Sequence, residues 1–125
     1  MRLLLDAHAL LWWLADDPSL GAAARALISD PGNEVFVSAA TVWEISVKRS
    51  LGKLVAPDDL VDTLAAEGFA EAPILATDGD RAGRLDPHHR DPFDRMLVAQ
   101  ALRLDAAVVT RDSAFSAYGA RVVGT

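Results

Sequence analysis

The chain has 125 residues, 51% of them hydrophobic, with a formal net charge of -6, three histidines and no cysteine. This length supports one hydrophobic core, so we expect a single domain over residues 1–125, and the lack of cysteine excludes disulfides and thiolate metal sites and fits a reducing cytoplasm. The acidic balance excludes a protein that coats nucleic acid by bulk positive charge, but not a nucleic-acid enzyme, because carboxylate-bound divalent ions can supply positive charge where a phosphate reacts.

The N-terminus is a short apolar run that ends at an acid. The segment Arg2–Asp6 is too short for a helix, which predicts a buried strand that stops at Asp6, and a helix follows through Leu10–Leu14. Asp6 interrupts the apolar stretch, which argues against a secretory signal peptide. No stretch of the chain reaches the roughly 20 apolar residues that a membrane-spanning helix needs.

The rest of the chain, outside the segment His88–Asp112, alternates helical and extended patterns. The predicted elements are a helix from Gly21 to Ser29 capped by Ser19, a strand at Val35–Val37, a helix from Ser38 to near Gly52, a helix from Pro57 to Gly68, a short strand within Phe69–Leu75, a weak helix over Thr77–Leu85, a short helix near Ala114–Tyr118 and a last strand over Ala120–Val123. Pro73 cannot donate a ladder hydrogen bond, so its strand is expected at a sheet edge. Such alternation predicts an α/β fold with a mostly parallel central sheet of about five short strands, covered by helices on both faces.

The segment His88–Asp112 places acids around one long apolar helix. Asp91 is a preferred N-cap and Pro92 suits the first helical position, so a helix begins here. Asp94 projects to the apolar side of this helix, where it either returns to the backbone in a capping box or belongs to a site. The apolar run after the helix predicts a buried strand, so that Asp112 lies at a strand's carboxyl end.

Four acids are candidates for one site. Parallel sheets bind ligands at the edge where the carboxyl ends of their strands meet. Asp6 and Asp112 are expected at this edge, and Glu44 can reach it. Asp94 can reach it only if the loop before its helix returns to that edge. Each acid also has an ordinary interpretation as a strand end, a helix cap or, for Glu44, an ion pair with Lys48. Four clustered carboxylates would repel one another unless cations bind, and oxygen ligands favour Mg²⁺ or Mn²⁺ over Zn²⁺. The pattern predicts metal-assisted phosphodiester hydrolysis.

The segments LLLDAHALLWW, SAATVWEISVK, HRDPFDRMLVAQA and VVTRD occur in this order along the chain. Together they resemble the PIN-domain proteins of the VapC toxin family, over essentially the whole length. The resemblance implies a PIN-like three-layer α/β/α domain and a Mg²⁺-dependent endoribonuclease, with Mn²⁺ able to substitute. It also implies an RNA substrate, a cognate VapB-type antitoxin and a homodimer. The family's acids fall on Asp6, Glu44, Asp94 and Asp112.

Three further positions lie close to these motifs. Asp91 is an extra acid, interpreted as a cap first and a ligand second. Thr110 matches a hydroxyl often found near this site in the family. His8 stands where many relatives carry a small polar residue, and is expected either as an outer-shell contact or as a packed side chain.

Several basic residues are candidates for contacts with RNA phosphates. Arg95, Arg111 and Lys48 either make such contacts or form a solvated charged face. His88 and His89 are expected in a solvated loop.

The helix through Leu10–Leu14 is apolar nearly all the way round, which is more than one core-facing stripe requires. Trp12 and Trp13 are adjacent and point about 100° apart on a helix, so part of this surface is expected to contact an antitoxin or a second copy of the chain.

Two rival functions use the same residues. A non-catalytic PIN-like module that binds protein or RNA would retain the acids only as helix caps. An aspartyl-phosphate phosphatase would also place an Asp after the first strand, but it usually carries a second Asp two residues later, where this chain has His8.

Overall fold

Short strands and helices alternate along the chain in the computed structural model, which describes Met1–Thr125. The elements in order are β1 (Arg2–Leu5), α1 (Ala7–Leu14), α2 (Ala22–Ser29), β2 (Glu34–Ser38), α3 (Ala39–Ser50), α4 (Leu60–Ala66), β3 (Ala70–Ala72), α5 (Ala76–Arg84), α6 (Pro92–Leu104), β4 (Ala107–Val109), a 3₁₀ helix (Ser113–Tyr118) and β5 (Val122–Val123). None of these helices combines the length and the apolar character that crossing a membrane requires.

The five strands form one all-parallel sheet in the order β3-β2-β1-β4-β5. The central strand, β1, pairs with β2 on one side and with β4 on the other, and Leu5 lies opposite both Val37 and Val109. The residues that follow these three positions therefore emerge side by side at the carboxyl edge of the sheet. Two of them are Asp6 and Thr110, and this edge carries the candidate site.

The sheet is buried on both faces, which confirms the predicted three-layer α/β architecture. Leu3 and Leu5 belong to a core cluster with residues of α1, α2, α3 and α4, whereas Leu4 belongs to a second cluster with residues of α6. Successive side chains of a strand point to opposite faces, so a continuous apolar run such as Leu3–Leu5 serves both layers. The strand β3 ends directly before Pro73, and it lies at the sheet edge as expected.

One predicted helix cap and one predicted helix start are wrong. Ser19 does not cap α2: Asp17 accepts hydrogen bonds from Ser19 N through its side chain (2.8 Å) and from Leu20 N through its carbonyl (3.1 Å), so these residues form a turn. The helix instead begins after Gly21, without a side-chain cap. The helix expected to begin at Pro57 begins at Leu60.

Candidate metal centre

Asp6 is placed by the end of β1 and the start of α1. It is the N-cap of α1, and its Oδ1 accepts a hydrogen bond from Ala9 N at 2.8 Å. The residue is buried, and burial raises the pKa of its carboxyl, while the neighbouring Thr110 hydroxyl and the Ala9 amide lower it. The cap thus fixes the orientation of the carboxylate at the sheet edge.

Glu44 reaches the same edge from the second turn of α3. The helix starts directly after β2, because Ser38 caps it by accepting a hydrogen bond from Ala40 N at 3.0 Å. Glu44 is only 6% exposed, and its Oε2 lies 2.7 Å from Nζ of Lys48. This hydrogen bond raises the pKa of the Lys48 ammonium group, which therefore remains charged beside the acids.

Asp91 and Asp94 begin α6 but act differently. Asp91 is the helix cap: its Oδ1 accepts hydrogen bonds from Phe93 N (2.8 Å) and Asp94 N (3.3 Å). The Asp94 carboxylate takes no part in a cap. It faces the other acids, and burial together with the charge of Asp91 raises its pKa to about 7, with smaller contributions from Glu44 and Asp6. Carboxylates from three separate parts of the fold, the start of α1, α3 and the start of α6, therefore act on one another.

Asp112 lies two residues after Thr110, which itself follows β4. It caps the 3₁₀ helix, with Oδ1 accepting from Ala114 N at 2.9 Å. Its Oδ2 lies 2.8 Å from Nε2 of His89. The Ala114 amide and His89 together hold the pKa of Asp112 below its usual range, so this acid stays ionised.

His89 is the site residue that sequence reasoning missed. The expectation of a solvated loop holds for His88, which is exposed, but is wrong for His89, whose Nε2 lies between Asp94 (2.9 Å) and Asp112 (2.8 Å). The only feature of the sequence that could have indicated its role is its position two residues before the N-cap Asp91. From there a side chain can fold back over the start of α6.

The acids line an open cavity of about 290 Å³ at the carboxyl edge of the sheet. Its lining residues are Asp6, Ala7, His8, Glu44, Lys48, Asp91, Asp94, Thr110, Arg111 and Asp112. A larger surface cavity of about 510 Å³ lies next to Asn33 and Glu34, at the amino end of β2, and contains no such cluster. The carboxyl edge is where parallel sheets bind ligands, so the smaller cavity is the candidate site.

The donor set of this cavity fits a divalent cation. Five carboxylates surround it, from Asp6, Glu44, Asp91, Asp94 and Asp112, and Lys48 and Arg111 supply the cationic side chains of its lining. Burial first, and then the charges of Asp91, Glu44 and Asp6, raise the pKa of Asp94 in this cavity. One nitrogen of His89 and one oxygen each of Asp94 and Asp112 also lie within 4.8 Å of one another. Carboxylate oxygens of this kind suit Mg²⁺ or Mn²⁺.

The predicted accessory residue His8 and the predicted RNA contact Arg111 both line the cavity. His8 is exposed, with its ring centroid 5.7 Å from that of Trp12. The guanidinium of Arg111 stacks on the same Trp12 ring, 4.5 Å from its centroid, and donates a hydrogen bond to the Ser19 carbonyl at 3.0 Å.

The guanidinium of Arg95, predicted to contact RNA phosphates or to lie on a solvated face, instead binds the main chain of the protein. Nε and both terminal nitrogens donate hydrogen bonds to main-chain carbonyls of the last turn of α5 and of the segment between α5 and α6, at 2.8 to 3.4 Å. The accepting carbonyls belong to Ala82, Gly83, Leu85, Asp86 and His89. Arg95 therefore organises the loop that carries His89.

Comparison with solved structures finds the same fold in chains of toxin–antitoxin assemblies. The similar structures include VapBC2 from Rickettsia felis bound to a promoter DNA fragment (TM-score 0.74, 14% identity, covering 100% of this chain and 99% of that one). DNA-bound VapBC from Salmonella typhimurium is similar with a TM-score of 0.68 and 15% identity, covering 99% of this chain and 98% of that one. A toxin–antitoxin complex from Klebsiella pneumoniae is similar with a TM-score of 0.67 and 20% identity, covering 97% of this chain and 95% of that one. Comparison with curated proteins finds no significant match.

Sequence comparison identifies the family directly. The profile of the PIN domain matches residues 3–121, which is nearly the whole chain and includes every candidate site residue. The all-parallel five-stranded sheet agrees with that match. The chain therefore belongs to the PIN-domain family.

Proposed function

We propose that this protein is a Mg²⁺-dependent endoribonuclease and the toxin of a type II toxin–antitoxin pair. The observation that carries the proposal is the convergence of Asp6, Glu44, Asp94 and Asp112 on one open cavity, where the pKa of Asp94 is raised to about 7. Membership of the PIN-domain family and the fold shared with toxin–antitoxin complexes support it.

In the proposed mechanism Asp6, Glu44, Asp94 and Asp112, which line the cavity together, would hold the metal. A Mg²⁺ or Mn²⁺ ion held there would lower the pKa of a water molecule and stabilise the charge that develops in an in-line displacement at phosphorus. The Thr110 hydroxyl stabilises the charge of Asp6 and so keeps it available as a ligand.

Two cations at the rim are proposed to contact the RNA backbone. Arg111 is pre-positioned by stacking on Trp12, and only one of its terminal nitrogens is used by the Ser19 carbonyl. Guanidinium groups bind phosphate oxygens with high geometric specificity. Lys48 is paired with Glu44, so in contact with a phosphate it would share its single charge between the substrate and this acid.

The proposed partners are a VapB-type antitoxin and a second copy of the chain. The apolar surface on α1 is smaller than the sequence suggested. Leu10 is fully buried, and Trp13 packs on the core and donates a hydrogen bond from Nε1 to Glu67 at 3.1 Å. The side chains of Trp12 and Trp13 are half-buried, so α1 offers an antitoxin only part of each ring.

Exposed apolar side chains lie instead along α3. Trp43 (63% exposed), Val47 (38%) and Leu51 (62%) follow one another at intervals of four residues and so form a stripe on one helix face. The Trp43 ring extends this stripe toward α6 by an edge contact with Phe93, with centroids 5.1 Å apart. We assign the proposed homodimer to this stripe, because a two-fold axis requires one self-complementary patch.

The function is tested by incubating the purified protein, free of antitoxin, with total RNA, with and without Mg²⁺, and mapping the cut ends. Metal-dependent cleavage at defined ends is expected. Identical RNA profiles with and without the metal would refute the nuclease proposal. An Asp62→Asn variant is the matched control, because this exposed acid of α4 lies outside the acid-lined cavity and should cleave as the wild type does.

A non-catalytic binding module is the second candidate, and one observation favours it. Asp6, Asp91 and Asp112 all serve as helix caps. Calorimetric titration with Mn²⁺ separates the two functions: a site that disappears in Asp6→Asn supports the enzyme, and the absence of any site supports the module.

A further inference from the structure

The ring of His89 connects two carboxylates from different parts of the chain. Its Nε2 lies 2.9 Å from Oδ2 of Asp94, at the start of α6, and 2.8 Å from Oδ2 of Asp112, after β4. The side chain is 19% exposed, so water competes weakly for these hydrogen bonds. Asp94 and Asp112 belong to separate elements, and contact with the same nitrogen of His89 sets the distance between their carboxylates.

The other ring nitrogen identifies the proton position. Nδ1 accepts a hydrogen bond from the backbone N–H of Asp91 at 3.1 Å. A nitrogen that accepts a hydrogen bond carries no proton, so in this arrangement the ring is neutral and its proton is on Nε2. Nε2–H is then a donor to both carboxylates.

The main chain of His89 is held as firmly as its ring. Its N–H donates to the Tyr118 hydroxyl at 2.7 Å, and that hydroxyl donates to the Asp86 carbonyl at 2.7 Å. Its carbonyl accepts from Nη1 of Arg95 at 3.1 Å, and its ring packs edge-on against Phe115. These contacts fix the ring between the acids, so that its place does not depend on the acids alone.

We propose that His89 is a positioning residue, which orients Asp94 and Asp112 through Nε2–H and does not itself bind the metal. This inference rests on the proposed metal-dependent function. Coordination through Nε2 would require the ring proton on Nδ1, where it would point at the Asp91 N–H and break that hydrogen bond. Since Oδ1 of Asp112 is held by Ala114 N, the oxygen left free for the metal is Oδ1 of Asp94.

Mn²⁺ affinity of side-chain variants tests this role. His89→Ala should bind Mn²⁺ roughly 10-fold more weakly than the wild type, the usual effect of losing a group that orients a ligand. His89→Gln should bind within about 3-fold of the wild type, because its amide offers a neutral N–H donor at similar reach. His88→Gln is the matched control, since His88 contacts Tyr118 but no acid. Equal weakening in the Ala and Gln variants, or wild-type affinity in both, would overturn the proposal.

Two spectroscopic measurements separate positioning from coordination. Pulsed electron paramagnetic resonance of bound Mn²⁺ should show no histidine nitrogen coupling, and a coupling that disappears in His89→Gln would overturn the proposal. Nitrogen NMR of the metal-free protein should show His89 as the neutral Nε2–H tautomer, whereas an Nδ1–H ring would contradict it. The NMR result decides the role of His89 even if the wild type binds no Mn²⁺, an outcome that would refute the proposed function instead.

Discussion

Single residues in this protein carry a structural and a proposed functional role at the same time. Asp6 and Asp112 each use Oδ1 to accept a hydrogen bond from a helix N-terminus. The cap fixes each carboxylate in one orientation at the edge of the cavity, and the second oxygen of Asp112 lies 2.8 Å from Nε2 of His89. Capping and metal binding, which the sequence presented as alternatives, are therefore compatible, and Asp94 is the acid whose carboxylate has no capping role.

Asp94→Asn is predicted to stabilise the metal-free protein at high pH. Its folded pKa of about 7 lies above the ordinary value of 3.8, so the folded state holds a proton that the unfolded state releases. The free energy of unfolding should therefore fall as the pH rises from about 4 to 7, by at most roughly 4 kcal/mol. Urea unfolding in EDTA should show the Asn variant to be more stable than the wild type at pH 8 and similar to it at pH 4. A less stable Asn variant at pH 8 would contradict the charge cluster.

The same substitution is predicted to abolish cleavage. Asn keeps the size of the side chain and can still accept the hydrogen bond from His89, but it is a poorer ligand for a hard cation. RNA cleavage with Mg²⁺ should fall by at least about 100-fold, a loss typical of removing a group used at the reaction centre. The rate is measured on a fluorescent RNA under single-turnover conditions. Unchanged cleavage in the folded variant would remove Asp94 from the site.

Helices and strands could be predicted from the sequence where their ends are set by apolar runs and by helix caps. The continuous apolar runs, the cap at Ser38 and the cap at Asp91 are local signals, and each is where it was predicted. The return of the loop before α6 is a long-range property. It depends on Arg95, which binds five carbonyls, and on the Tyr118 hydroxyl, which lies 29 residues beyond His89 in the chain.

The stripe on α3 makes a prediction about assembly. A buried Trp at the centre of an interface contributes on the order of 2 kcal/mol, and a symmetric dimer contains Trp43 twice, so Trp43→Ala should weaken dimerisation by roughly 1,000-fold. Sedimentation equilibrium over a concentration series measures the dissociation constant. Val55→Ala is the control, since Val55 is 94% exposed and lies outside the stripe. The assignment fails if Trp43→Ala and the wild type have the same dissociation constant, or if the wild type is monomeric throughout the series.

The whole molecule is acidic, with a net charge of -6, and the candidate site gathers five carboxylates around one cavity. A polyanion approaching this cavity meets repulsion from five acids and attraction from Lys48 and Arg111 alone among its lining residues. The metal should therefore be needed to bind RNA as well as to cleave it. This separates the proposed enzyme from RNA-binding proteins that rely on basic surfaces.

RNA binding is accordingly predicted to depend on a divalent ion. Ca²⁺ suits carboxylate ligands but is larger and less strict in geometry than Mg²⁺, so it should support binding with little cleavage, whereas Mn²⁺ should support both. Fluorescence anisotropy of a labelled RNA should give at least about 10-fold tighter binding in Ca²⁺ than in EDTA, a difference on the order of 1.4 kcal/mol. Asp6→Asn should bind in Ca²⁺ only as weakly as the wild type does in EDTA. If the wild type binds RNA equally well in EDTA and in Ca²⁺, then the acids do not recruit RNA through a metal, and the proposed site is wrong for this chain.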